Sequence, residues 1–271
     1  MNQTILITGA SSGLGKETAK LFQSNGWNVI ATMRNPETET ELRELPNVLV
    51  AKLDVLEPAT IENAVREGLE QFGTIDVLVN NAGYGAYGPL ESIPRDKVIR
   101  QFHTNVIGLI AVTQALLPHF RRQQSGLILN ISSTGGKMAF PLGSLYHGTK
   151  FAVEGLSESL VYELEPMGIR VKLIEPGAIA TDFTGRSLDL SVDENLAEYQ
   201  PIIAKALTSF DTLFQQASSP ATIAQVVYQA ATDGSDQLRY SAGADAAVMI
   251  DQRGQLSDED FRRGVEVMFG L

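Results

Sequence analysis

The chain has 271 residues, 44% of them hydrophobic and 20% charged, with 24 glycines, 11 prolines and no cysteine, a globular composition far from the disordered, collagen-like and disulfide-rich classes. The lack of cysteine excludes disulfides, thiolate-ligated zinc or iron–sulfur clusters and a thiol nucleophile. Lysine and arginine number 21 against 32 aspartate and glutamate, a net charge of −11, and no basic run exceeds Arg121-Arg122 or Arg262-Arg263, so a nonspecific nucleic-acid surface is not expected.

The opening MNQTILITGA lacks the basic segment and long apolar core of a secretion signal. No stretch approaches ~18 consecutive apolar residues. The expectation is a soluble cytoplasmic protein without a membrane span, folded as one domain over residues 1–271.

Short β-branched runs alternate with helical-period segments. Ile5-Leu6-Ile7, Val29-Ile30, Val48-Leu49-Val50, Val77-Leu78-Val79, Leu127-Ile128-Leu129 and Val171-Lys172-Leu173-Ile174 read as buried strands. Residues 58–72 place Ile61, Ala64, Val65, Leu69 and Phe72 on one helical stripe, and residues 151–164 do the same with Ala152, Val153, Leu156, Leu160 and Leu164. This alternation predicts an α/β fold: a doubly wound (Rossmann) central parallel sheet of about seven strands with helices on both faces and a ligand site at the strands' carboxyl ends. The rhythm breaks between Gly185 and about Ser219, a long polar and partly helical segment without a strand run, which reads as a substrate lid or a disordered loop. Residues 221–232 then read as a helix, Leu238-Arg239-Tyr240 as a last short strand, and 245–271 as a tail of two short helices.

The first strand, Thr4–Thr8, runs into Gly9-Ala10-Ser11-Ser12-Gly13-Leu14-Gly15-Lys16. Glycines allow a tight turn and close backbone approach, and a following helix N-terminus offers free N–H groups to a phosphate. The spacing, G-x-x-x-G-x-G, is neither G-x-G-x-x-G nor a P-loop, and a plain structural turn is the other reading. After the second strand the segment Ala31-Thr32-Met33-Arg34-Asn35-Pro36 carries no acid to accept from an adenosine ribose. Arg34 is suited to a 2′-phosphate, though an ordinary solvated arginine reads the same; Lys16 is a candidate to assist.

Tyr146 and Lys150 are four residues apart and share one helix face. A phenol with a pKa near ~10 is a poor acid or base at neutral pH. A neighbouring ammonium favours the phenolate and is expected to lower that pKa, so the tyrosine could exchange a proton with a carbonyl or alcohol oxygen. Ser133 follows the strand Leu127–Ile131, at the binding edge, where its hydroxyl could bond a substrate oxygen; it could equally be a capping residue, as could Ser132. The three histidines, at 103, 119 and 147, have no metal-like spacing and read as surface or helix-face residues, and no metal site is expected.

With these pieces assembled, the chain resembles the short-chain dehydrogenase/reductases of the non-extended branch. The matching segments are T-G-A-S-S-G-L-G at 8–15, Asp54, N-N-A-G at 80–83, Asn105, I-S-S at 131–133, Y-x-x-x-K at 146–150 and P-G-A-I-A-T at 176–181, in the family's order and spacing. The resemblance implies a general acid/base role for Tyr146, with Lys150 lowering its pKa and gripping the nicotinamide ribose. It implies that Ser133 orients the substrate oxygen and that Asn105 holds a water linking Lys150 to solvent. Gly9, Ser12, Gly13 and Leu14 would contact the cofactor phosphates and nearby ribose, Asp54 and Val55 the adenine, and Asn81, Ala82 and Gly83 the adenosine half. Pro176, Gly177, Ile179 and Thr181 would contact the nicotinamide end. Arg34 resembles the basic residue of members that favour NADPH, which makes NADP the expected cofactor. Asn80 reads as a strand-tethering amide, and Asp54 could also be a turn residue.

The chain departs from many tetrameric members after Arg239-Tyr240-Ser241-Ala242-Gly243-Ala244-Asp245-Ala246, where a longer tail follows. It resembles bacterial relatives of hydroxysteroid and retinol dehydrogenases and of carbonyl reductases. A homodimer through the helices at 105–123 and 145–166 is one expectation, a monomer the other. Tyr87, Met138, Phe140, Leu142, Phe183 and residues 185–219 are expected to wall the pocket, which favours a small hydrophobic carbonyl or alcohol substrate. The rivals are a 3-oxoacyl carrier-protein reductase and a redox-sensing regulator that binds NADP(H) without turnover.

Overall fold

The computed structural model describes residues 2–180 and 188–271. Its centre is a seven-stranded sheet built from β1 (Thr4–Ile7), β2 (Asn28–Met33), β3 (Val48–Lys52), β4 (Val77–Asn80), β6 (Gly126–Ile131), β7 (Ile169–Pro176) and β9 (Arg239–Ala242), in the order β3-β2-β1-β4-β6-β7-β9. Every pairing is parallel, with Ile5 opposite both Val29 and Val77, and Asn80 opposite Asn130. The order reverses direction beside β1, the switch point at which an open α/β sheet leaves a crevice.

Alternating side chains send the strands into two cores. Ile5 and Ile7 join Phe22, Val79, Leu129, Ile223 and Val227 on the face covered by α1 (Gly13–Ser24) and α7 (Pro220–Thr232). Leu6 joins Ile61, Leu78, Val112, Leu116, Phe120 and Leu164 on the face covered by α2 (Pro58–Phe72), α4 (Gly108–Gln123) and α5 (Ser144–Leu164). A wholly parallel sheet is buried on both faces, which is why its strands read as continuous apolar runs. Helix α3 (Arg95–Phe102) runs into a π-helical turn at His103–Ile107 before α4 begins, and Asn105 lies in that turn.

The expectation of a strandless segment after Gly185 is corrected. Leu188–Leu190 form β8, which pairs in parallel with β5 (Gly85–Tyr87) as a separate two-stranded sheet. Three residues reading L-D-L are too short for a periodic signal. The segment continues into α6 (Gln200–Gln215), and the tail forms α8 (Ala244–Gln255) and α9 (Asp258–Phe269). Among the described residues, no helix is long and apolar enough to cross a membrane.

One ion pair anchors the edge strand. Lys172 of β7 is 1% exposed, and its ammonium donates to Asp233 Oδ1 at 2.8 Å, the Ala230 carbonyl at 2.9 Å and Tyr240 Oη at 3.0 Å. The Tyr240 hydroxyl in turn donates to Asp233 Oδ2 at 2.6 Å. The group thus joins β7, the end of α7 and β9. Removing Asp233 leaves the buried Lys172 ammonium without its counter-ion, which costs about 3 kcal/mol. Asp233→Ala is therefore expected to lower unfolding free energy by about that amount in urea titration, and a change below about 1 kcal/mol would contradict this role.

Candidate active site

A cleft of about 1080 Å³ opens along the carboxyl ends of β1, β4, β6 and β7. At one end β1 leads into Gly9, whose φ of +69° suits glycine, and α1 begins at Gly13. Ser12 makes no side-chain cap and the first turn of α1 has no acidic residue, so the helix presents unpaired N–H groups and its positive dipole end to the cleft. Gly15 is required by proximity: a Cβ there would collide with the Gly9 carbonyl and lie 2.6 Å from Asn81 Nδ2. Asn81 holds the loop from behind, donating from Nδ2 to the Thr8 and Gly9 carbonyls at 2.8 and 3.1 Å. The N–H groups of Asn81 and Ala82 donate to Thr8 Oγ1 at 2.9 and 3.0 Å.

Arg34 is exposed just past β2, lines this end of the cleft and makes no hydrogen bond or ion pair among the described residues. Lys16 differs: its ammonium lies 3.1 Å from Glu39 and 3.0 Å from Glu41, so it is already committed to two carboxylates. Asp54 and Val55 line the same wall. Asp54 also makes a local turn, its Oδ1 accepting from Leu56 N–H at 3.0 Å. Asn80 lies beneath, donating to Thr113 Oγ1 and Asn130 Oδ1 at 3.0 and 2.9 Å, as a strand-tethering amide should.

At the other end Ser133, Tyr146 and Lys150 meet. Ser133 fulfils its capping reading. Its Oγ accepts from Gly135 N–H at 3.0 Å and so caps the turn Thr134–Gly136, while it faces Tyr146 across the cleft and bonds to it. Lys150 donates from Nζ to the Ile131 carbonyl at 2.9 Å and stands 5.7 Å from the Tyr146 ring centre. Burial pushes the Tyr146 phenol above its ordinary value, with the Ser133 hydrogen bond pulling the other way. The expected lowering is therefore not what this arrangement gives. Burial also brings the Lys150 ammonium down to about 8, against the opposing pull of the Glu154 carboxylate.

Asn105 is buried behind Tyr84 rather than on the cleft wall. Its Oδ1 accepts from Tyr84 N–H at 3.1 Å, and its Nδ2 donates to the Tyr84 carbonyl at 2.8 Å and to Thr149 Oγ1 at 3.1 Å. Gly83, Pro176, Gly177 and Ile179 line the cleft with Gly9, Ser12, Gly13 and Leu14; Thr181 and Phe183 lie outside the described residues. Tyr87, Phe140 and Leu142 line the cleft, together with Leu207, Phe210 and Phe214 of α6 and Met249 of α8. Met138 is corrected: it is 2% exposed and does not line the cleft. The aromatic rings connect, with Tyr146 5.5 Å from Tyr87, Tyr87 5.7 Å from Phe210, and Phe210 5.4 Å from Phe269 of α9.

Two residues escaped the sequence reading. His147 is buried, not on the surface. Its Nδ1 faces the Gly135 carbonyl at 3.0 Å and its Nε2 accepts from Phe140 N–H at 3.0 Å. These partners require a neutral ring protonated on Nδ1, and they clamp both ends of the loop beside Ser133. Asp245, at the start of α8, accepts from Ala178 N–H at 2.8 Å through Oδ2 and abuts Gly177, where any Cβ would strike its carboxylate. It links the tail to the loop after β7. The signal for Asp245 was positional only, an acid in the first turn of a helix; for His147 a buried ring is indistinguishable in sequence from an exposed one.

Burial holds the His147 ring below its ordinary 6.5, while its bond to Gly135 acts in the opposite sense. A depressed histidine contributes stability that is present above the unfolded value and is lost as pH falls through the folded one. Melting temperature is thus expected to drop on acidification below about 6.5, and the drop should be smaller in His147→Gln; equal slopes in the two proteins would contradict the clamp. Asp245→Ala is expected to weaken binding of a nicotinamide dinucleotide about tenfold, read by fluorescence titration, because it frees the loop carrying Gly177 and Ile179; unchanged affinity would dissociate the tail from that loop.

The family model described as short chain dehydrogenase matches residues 3–190. An uncharacterized oxidoreductase of Schizosaccharomyces pombe is 43% identical over 88% of this chain and 100% of its own length. The crystal structure of a short-chain dehydrogenase from Streptomyces avermitilis superposes with a TM-score of 0.83 at 33% identity, covering 97% of this chain and 98% of that one. ElxO with NADP bound superposes with a TM-score of 0.76 at 27% identity, covering 92% of this chain and 100% of that one. By the family match, the sequence relative and the structural likeness together, the chain belongs to the short-chain dehydrogenase family of oxidoreductases.

Proposed function

We propose that the chain is an NADP(H)-dependent oxidoreductase that interconverts a ketone or aldehyde and an alcohol, with Tyr146 as general acid/base. The observation that carries this reading is the meeting of Ser133, Tyr146 and Lys150 in the same cleft as the uncapped N-terminus of α1 and Arg34. The cradle fits a dinucleotide: the Gly15 position has no room for a side chain, Asn81 holds the loop in shape, and the first turn of α1 carries no acidic residue. When bound, such a cofactor supplies or accepts the hydride at the reacting carbon.

In reduction, the Ser133 hydroxyl donates a hydrogen bond to the carbonyl oxygen and fixes it beside Tyr146. The phenol transfers its proton to that oxygen as negative charge develops there. Burial keeps the phenol protonated at neutral pH, so the acid is loaded before substrate arrives. The Lys150 ammonium stabilises the phenolate left behind. In oxidation the same groups run in reverse. The aromatic and aliphatic wall of Tyr87, Phe140, Leu142, Phe210 and Met249 excludes water and supports a hydrophobic substrate. NADP over NAD rests on Arg34, since Lys16 is held by Glu39 and Glu41 and the segment 31–36 carries no acid.

Tyr146→Phe is expected to lower the rate of NADPH-dependent carbonyl reduction about a thousandfold while dinucleotide affinity stays within about twofold; a parent-like rate would overturn the acid/base role. Arg34→Ala is expected to weaken NADPH binding by about tenfold or more and to leave NADH binding unchanged. An equal loss for both cofactors would remove the assignment of Arg34. Dinucleotide binding without turnover on aliphatic, aromatic and steroid-like carbonyls would favour the non-catalytic regulator instead.

A further inference from the structure

Behind Lys150, away from the cleft, lies a cluster of charged groups that the reaction above does not use. Glu154 stands one helical turn beyond Lys150 on α5 and is 6% exposed; Glu175, near the end of β7, is 1% exposed. One guanidinium serves both: Arg239 of β9 places Nε 3.0 Å from Glu154 Oε2 and 3.3 Å from Glu175 Oε1, and its Nη2 bonds Glu158 Oε1 at 2.6 Å. Lys137, after the turn at Thr134–Gly136, adds a second cation that acts on Glu175. Gly136 marks where the groups converge. A Cβ there would lie 2.6 Å from Ser132 Oγ, 3.0 Å from Glu154 Cγ and 3.1 Å from the Lys150 carbonyl oxygen. Glu154 Oε1, Glu175 Oε1 and Ser132 Oγ are buried without a hydrogen-bond partner among the described residues. Two buried carboxylates facing one shared guanidinium repel each other, and one of them takes up a proton more readily than an isolated acid.

We propose that Glu154 and Glu175 form an electrostatically coupled carboxyl pair behind the site, in which Glu154 acts as a positioning residue that keeps Lys150 charged. Burial pushes the Glu175 carboxyl up to about 7, helped by the charge of Glu154 and opposed by Lys137 and Arg239. The Glu154 carboxylate is the group that raises Lys150 against burial. Its loss therefore lets Lys150 shed its proton at lower pH.

The proposal rests on the acid/base reading of Tyr146 and Lys150, and its test is separate. The pH profile of kcat/KM for NADPH-dependent carbonyl reduction is measured in the parent, Glu154→Gln, Glu154→Asp and Tyr146→Phe proteins. The alkaline limb is expected to move to lower pH by about one unit in Glu154→Gln and by less in Glu154→Asp, which keeps the charge. A purely structural anchor for β9 would lower melting temperature and leave the limb in place. An unmoved limb in Glu154→Gln, with Tyr146→Phe inactive, would overturn the pair alone; an active Tyr146→Phe would overturn the underlying reading. A second arm needs no turnover. An acid raised in the fold costs stability as pH climbs from its unfolded value of 4.5 through about 7. The melting temperature of Glu175→Gln, relative to the parent, is thus expected to rise between about pH 5 and about pH 8. A difference that stays constant over that range would overturn the coupled pair, and this arm decides if Glu154→Gln does not fold.

Discussion

Parallel pairing is the constraint from which the rest follows. Each strand of the main sheet must be followed by a crossover, and the crossovers cover both faces. Polar groups inside the sheet are few, and most find partners there, as with Lys172 beneath β9 or Asn80 between Thr113 and Asn130. The place left for reactive groups is the edge where the strands end. Gly9 lies just past β1, Asn81 just past β4, Ser133 just past β6, and Pro176 closes β7. The site is a row of strand ends, and the helices that follow bring Tyr146 and Lys150 to it.

Within that site burial acts on two groups of opposite sign. A phenol loses its proton less readily when dehydrated, and an ammonium loses its proton more readily. Both Tyr146 and Lys150 are thereby driven toward their neutral forms. The simple expectation from their four-residue spacing, that the ammonium lowers the phenol, considers only their mutual attraction. Desolvation is the larger effect for each. The charge on Lys150 consequently depends on what lies behind it, and Glu154 is the acid in that position.

Much of this was legible in the sequence because it follows from periodicity and from motif order. Strands buried on both faces read as unbroken runs such as Leu127-Ile128-Leu129, and the helix at 58–72 shows its stripe directly. Sixteen or so positions named from the motifs line one cleft because a motif is a strand end, and strand ends converge. What was not legible depends on contacts between distant segments. Strand β8 has no pattern of its own and exists through its pairing with Gly85–Tyr87. His147 looks like any polar residue next to a tyrosine until Gly135 and Phe140 are seen to occupy both of its nitrogens. Met138 reads as a pocket residue by chain position, yet its side chain is buried and does not line the cleft.

The contact between Asp245 and Gly177 bears on how such a protein can change over generations. While the carboxylate of Asp245 occupies the space above Gly177, no side chain is admissible there. Position 245 is less constrained, since a smaller residue would leave a gap and an unpaired Ala178 N–H rather than a collision. The two positions are therefore unequal in evolutionary history. Replacement at 245 must come first, and only a lineage that has already lost the acid can explore alternatives to glycine at 177, so variation in the loop after β7 is contingent on an earlier event in a tail some seventy residues away.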